Sequence, residues 1–155
     1  MILELNVKDV IKKVKLKFSM KKIVEITKKN KGVAFKDLFF SKMNTIDFEF
    51  LANLILAFYD KEESDYDFNG DINKVYDFIE NYVESKENYD YQSLYVELSE
   101  AINDKSFFGK MMSETELKAE VNNPLAGFDI NQIVNETAQS IMKETVAEEF
   151  RGYRG

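Results

Sequence analysis

Phe48-Glu49-Phe50-Leu51-Ala52-Asn53-Leu54-Ile55-Leu56-Ala57-Phe58-Tyr59 is the stretch whose reading decides the fold. Phe48, Leu51, Leu54, Ile55 and Phe58 recur at helical spacing and make a wide apolar face, which Phe50 and Leu56 extend. A helix that is apolar nearly all round belongs at the centre of a core. Asn44 or Thr45 is the expected N-cap.

Downstream, residues 60–70 form a polar, acidic loop. Asp71 is placed to cap a helix with Ile72, Val75, Tyr76, Ile79 and Val83 as its stripe. Ser85 to Asn88 is a short connector. Asp90 opens another helix, through Asp104, that turns Leu94, Tyr95, Leu98 and Ile102 inward, and Phe107 and Phe108 fold back onto the bundle. Upstream, Ile2 to Val7 alternates, with Leu3, Leu5 and Val7 on one face. Lys13 to Phe18 alternates again, with Val14, Leu16 and Phe18 apolar. A period of two on both sides of Lys8-Asp9 reads as a β-hairpin, with Val10 and Ile11 extending either strand. Ser19 caps a helix carrying Met20, Ile23, Val24 and Thr27, and Asn30-Lys31-Gly32 stops it. The Phe-rich segment from Val33 to Met43 fits either a short helix or an irregular connector.

From Lys110 to Ala126 the chain is polar, and Asn122-Asn123-Pro124 breaks structure. Asp129 then caps an amphipathic stretch with Ile130, Ile133, Val134, Thr137, Ile141 and Val146 near helical spacing. The expected fold is α+β, mainly α: an N-terminal β-hairpin, a small helical bundle and a C-terminal tail helix. The expected divisions are a domain over 1–108, a linker over 109–128 and a tail over 129–155.

Composition narrows the chemistry. The 155 residues contain no cysteine and no histidine. Disulfides, thiolate–metal sites and Ser–His–Asp or Cys–His nucleophile systems are therefore excluded. Neither GxGxxG nor GxxxxGK[ST] occurs. No apolar run is long enough to span a bilayer, and Met1-Ile2-Leu3-Glu4 lacks a signal peptide's basic start and apolar stretch. A cytoplasmic, non-catalytic protein with no cofactor is expected.

Charge is segregated. Residues 1–43 hold twelve Lys against four acids, and residues 44–105 hold four Lys against sixteen acids. Such a division serves either internal complementarity or two faces for two partners. The basic start lacks a nucleic-acid recognition motif, and the acidic whole argues against a phosphate-backbone partner. The ending Arg151-Gly152-Tyr153-Arg154-Gly155 is RGG-like in a single copy.

Asp65-Tyr66-Asp67-Phe68-Asn69-Gly70-Asp71-Ile72 matches the first half of a calcium loop, with Asp65, Asp67, Asn69 and Asp71 at ligand positions and Gly70 sixth. The twelfth position, where a bidentate Glu is needed, is Tyr76. The expectation is therefore an acidic turn and helix cap, with no metal. Glu62, Glu63, Asp65 and Asp67 share one loop, which is a poor scaffold for the fixed carboxylate spacing of glycoside chemistry.

The order of elements resembles a known family. A short hairpin runs through Lys15-Leu16-Lys17-Phe18-Ser19 into a helix beginning Met20-Lys21-Lys22-Ile23. The apolar helix of residues 48–59 follows, then an acidic stretch into Asp71-Ile72-Asn73-Lys74-Val75-Tyr76-Asp77-Phe78-Ile79-Glu80. A helix with Tyr91-Gln92-Ser93-Leu94-Tyr95-Val96-Glu97-Leu98 then ends near Phe107-Phe108. Over residues 1–108 this layout resembles the tail assembly chaperones of long-tailed phages of low-GC Gram-positive bacteria. An abundance of Lys, Asn, Ile, Tyr and Phe suits such AT-rich genomes. The Asp65–Asp71 loop is not a family feature.

The resemblance implies a non-catalytic protein of the host cytoplasm, absent from the mature virion. It would coat the helical tape measure protein, help recruit tail tube protein and self-associate. The candidate partner-binding residues are Phe35, Phe39 and Phe40, with ordinary core packing as the competing reading, and Ile130, Ile133, Val134 and Ile141 on the tail. The alternative is an acidic phage or host inhibitor that binds a DNA-binding or defence protein.

Overall fold

Lys8 and Asp9 both adopt left-handed backbone (φ 51° and 67°), the signature of a two-residue type I′ turn. That turn joins β1 (Ile2–Val7) to β2 (Val10–Lys15) as an antiparallel pair in which Leu3 faces Val14 and Val7 faces Val10. The tight turn draws Val10 and Ile11 into the second strand, which starts earlier than the alternation from Lys13 suggested. Leu16 then bridges to Tyr59, and Phe18 lies past the strand. Leu3, Leu5, Val14 and Leu16 are buried, whereas Val7, next to the turn, is exposed.

A computed structural model describes residues 1–122. Among these, the hairpin precedes six helices: α1 (Met20–Lys29), α2 (Phe35–Asn44), α3 (Phe48–Phe58), α4 (Ile72–Glu84), α5 (Tyr91–Asp104) and α6 (Glu114–Val121). The chain is α+β and mainly α. The tail expected over 129–155 lies outside the described residues.

Local chemistry explains the starts. Ser19, Asp71 and Asp90 cap α1, α4 and α5 as their positions suggested, each accepting from a backbone N–H two or three residues on. The cap of α3 is Asp47, not Asn44 or Thr45. Those two residues finish α2, where the Thr45 hydroxyl donates back to Ser41 O, and Ile46 reverses the chain at φ 50°. The undecided Phe-rich segment is α2.

As expected, α3 is central, burying Phe50, Leu51, Ala52, Leu54, Ile55 and Phe58. Phe48 departs from that reading: it is exposed at the first turn, edge-on to Tyr91 at 5.0 Å. α4 packs on α3 and β1, burying Val75, Phe78, Ile79, Tyr82 and Val83. Ile72 and Tyr76, expected in its stripe, are only half-buried: Ile72 is the first residue of the helix, and Tyr76 lines a surface hollow. On α5, Leu94, Tyr95, Leu98 and Ile102 all point inward.

The domain does not stop at residue 108. The expected linker starts as packed structure, with Met112 and Leu117 buried and α6 lying against α2. Buried Asn103 clamps this segment: its Nδ2 donates to Met112 O (2.9 Å) and its Oδ1 accepts from Met112 N (2.8 Å). Lys36 pairs with Glu120 at 3.3 Å.

Candidate functional site

The Phe cluster belongs to the core. Phe35, Phe39 and Phe40 are buried, and Phe39 meets Phe40, Tyr95 and Phe108 with ring centroids 5.4–5.7 Å apart. In this fold they offer no exposed surface, so the competing core reading describes their position. Ile130, Ile133, Val134 and Ile141 lie outside the described residues.

The residues 60–70 loop is a strap along β2. Asp65 N donates to Lys13 O (2.7 Å), Lys13 N donates to Asp65 Oδ2 (3.2 Å), Asp60 N donates to Lys15 O (2.9 Å) and Lys15 N donates to Ser64 Oγ (2.8 Å). Phe68, fully buried against Tyr59, Tyr66 and Phe78, anchors it. Three of the four loop residues singled out as calcium positions thus have side chains bonded to backbone N–H groups. Asp65 bonds β2, Asp67 Oδ1 accepts from Asn69 N, and Asp71 Oδ1 accepts from Asn73 N. Among the described residues no group of three or more acidic side chains is gathered as a metal site.

A partly apolar opening that bears on partner binding lies between α1 and α3. Among the helices described, α1 alone has no buried residue. Ile23 and Ile26 are its inward residues and stay half-buried, while Met20 and Val24, also expected on the apolar face, are exposed. Behind α1 runs an open groove of about 390 Å³ with Phe50 and Leu54 as floor and Ile26 and Ala57 as walls. Asn30 and Asn53 line it too, but each side-chain amide donates to its own helix, at Ile26 O and Glu49 O. One N–H of each amide is thus used, and the groove has an apolar floor of Phe50 and Leu54 within a rim of charged and amide groups.

The rim is Lys29, Lys42, Asp47 and Glu49. Asp47 accepts from Phe50 N (2.9 Å) and pairs with Lys42 (3.2 Å). Partial burial pushes its carboxyl pKa up, but the Phe50 N–H and the Lys42 ammonium outweigh that, so it sits below its ordinary value. Tyr95 Oη donates to Asp47 O (2.6 Å), tying the rim to α5. A group with a depressed folded pKa supplies stability that is present above its unfolded value and is lost as pH falls through its folded one. Asp47→Ala is accordingly expected to lower stability by about 1 kcal/mol at neutral pH. The gap to wild type should shrink below about pH 4. Urea melts across pH check this; a gap that widens in acid contradicts it.

A smaller hollow of about 150 Å³ lies between Phe48, Leu51, Tyr76, Ile79, Glu80 and Tyr91. Periodicity placed its Phe48, Leu51, Tyr76 and Ile79, and the groove floor, on the apolar faces of α3 and α4. The readable signal was the excess apolar perimeter of residues 48–59, more than its neighbours cover.

No protein-family model, characterised protein or solved structure matches this chain. Among the described residues, no helix is long and apolar enough to cross a membrane.

Proposed function

We propose that this chain is a non-catalytic tail assembly chaperone of a long-tailed phage or prophage, acting in the host cytoplasm by binding the helical tape measure protein. The observation that carries the reading is the α1–α3 groove. Its apolar floor of Phe50 and Leu54, with Ile26 and Ala57 above it, is shaped for a row of apolar side chains from a partner helix. The resemblance in element order over 1–108 supplies the identity of the partner. Support also comes from the mainly helical fold and from a composition without histidine or cysteine.

The test is co-expression with the tape measure protein of the same genome, followed by pull-down and light scattering for mass. Several copies on one soluble partner are expected. Ala57→Arg, which puts a charge into the groove wall, is expected to weaken capture at least about tenfold, or about 1.4 kcal/mol, with an unchanged melting temperature. If the partner stays insoluble and this protein elutes alone, the reading fails, and the acidic surface of residues 60–104 becomes the one to test for an inhibitor's target.

A further inference from the structure

We infer that the free edge of β1 is a self-association surface, on which β1 of a second copy pairs antiparallel about a two-fold axis to make one continuous sheet. The ladder itself fixes which backbone groups are free. Met1 and Leu16 exchange both bonds: Leu16 N donates to Met1 O (2.8 Å) and the Met1 ammonium donates to Leu16 O (3.3 Å). Bonded pairs alternate along an antiparallel ladder, so in this register Leu3–Val14, Leu5–Lys12 and Val7–Val10 are the bonded ones. Ile2, Glu4 and Asn6 therefore turn their N–H and C=O groups away from β2, as Lys13 and Lys15 turn theirs away from β1.

The two edges are treated differently. On β2 the strap bonds both the N–H and the C=O of Lys13 and of Lys15. On β1 nothing among the described residues bonds to the outward groups of Ile2, Glu4 and Asn6, and all three residues are exposed. β1 also lacks devices that keep edge strands apart: Ile2-Leu3-Glu4-Leu5-Asn6-Val7 has no lysine, proline or bulge. Apolar exposure gathers at the same place, since Ile2, Val7, Val10 and Ile11 are exposed and all stand on the hairpin.

Register selects a second copy as the occupant. Only the outward residues can form bonded pairs across this edge. Setting Glu4 opposite Glu4 brings like charges face to face, which is destabilising. Setting Leu3 opposite Leu3 leaves Val7 beyond the paired strands. Setting Leu5 opposite Leu5 resolves both. Glu4 then faces Asn6 of the second copy, and by symmetry Asn6 faces its Glu4, so that each amide donates to a carboxylate. Lys8 of the second copy stands diagonal to Glu4. Val7 comes opposite Leu3 of the second copy, and the apolar row of Val10 and Val7 continues into Leu3 and Val14 across the axis. A two-fold interface requires self-complementarity of this kind.

The inference does not rest on the proposed function and is read on the isolated full chain. Analytical ultracentrifugation is expected to show a mass that rises with concentration toward twice 18.1 kDa. Glu4→Pro is expected to weaken association at least about tenfold, because the ring removes a donor that the hairpin does not use and stands where the second strand approaches. Val7→Lys changes a position exposed in the single chain. It is expected to weaken association as much, with an unchanged melting temperature where both proteins are monomeric. Should Glu4→Pro fail to fold, Val7→Lys carries the test. In a mixture of ¹³C-labelled and unlabelled chains, a nuclear Overhauser contact between Leu3 and Val7 methyls is expected from one copy to the other. Within one strand these residues are about 13 Å apart, too far for such a contact. A single-chain mass at millimolar concentration overturns the inference and leaves the edge to a strand of another protein. A dimer that the folded variants leave intact overturns it too, because association then lies elsewhere, and so does a dimer without the Leu3–Val7 contact.

Discussion

Phe39→Ala is expected to destabilise the protein by about 3–5 kcal/mol, a large share of the roughly 5–15 kcal/mol that holds a domain together. Phe39 is fully buried where α2, α5 and the turn after α5 meet. Its ring stands edge-on to Phe40 at 5.4 Å and to Tyr95 at 5.7 Å, and tilted to Phe108 at 5.5 Å. Truncation removes the ring's burial and leaves a cavity whose walls belong to three separate segments, so it closes poorly. The favourable edge contacts go with it. The urea midpoint is expected to fall with the slope unchanged. Should the variant be too unstable to purify, Phe39→Leu is expected to show the same direction with a smaller loss. The experiment also separates core packing from partner binding. A binding anchor would leave the midpoint where it is and lower only capture of the partner.

The same residue shows how far the sequence is readable. The hairpin, the caps at Ser19, Asp71 and Asp90, and the inward stripe of α5 follow from periodicity and cap chemistry, because those signals are local. Whether a Phe-rich segment such as residues 35–40 faces a core or a partner is set by what packs over it, here Tyr95 and Phe108 from far along the chain. Phe48 shows the converse: its helical spacing matches its buried neighbours, yet it stays exposed beside Tyr91. The groove was unreadable for the same reason. Phe50, Leu54, Ile26 and Ala57 have core character, yet in the described structure they line an opening.

The acidic middle illustrates a different limit. Its alternating carboxylates resemble half of a cation loop, but Asp65, Asp67 and Asp71 each accept from a backbone N–H in the described structure. The strap they help build covers the outer edge of β2 at Lys13 and Lys15. The acidic segment is thereby joined to the basic one, strap to strand, through backbone groups, the Asp65 carboxylate and the Ser64 hydroxyl.

Asn103→Leu is expected to detach α6 and, if the whole domain responds, to cost about 2–6 kcal/mol. The amide of Asn103 satisfies both backbone groups of Met112 in a buried place. Removing it strands one donor and one acceptor, each worth about 1–3 kcal/mol of lost desolvation. Among the described residues the segment is also held by buried Met112 and Leu117, by half-buried Val121 and by the half-exposed Lys36–Glu120 pair, and an exposed pair of that kind adds little. The weaker response is therefore local. Amide exchange is expected to accelerate over residues 112–121 while the α3 and α5 amides keep their protection, because opening needs only the docking energy of α6 and not that of the core. Asn103→Asp sharpens the reading. Ionised, it accepts from Met112 N but confronts Met112 O with a buried charge; protonated, it again donates. Its deficit against wild type is expected to be larger at pH 7 than near pH 4, whereas the deficit of Asn103→Leu is expected to stay level over that range. Equal exchange rates over residues 112–121 in wild type and Asn103→Leu would show that the clamp contributes nothing and that the apolar contacts of Met112 and Leu117 alone hold α6 in place.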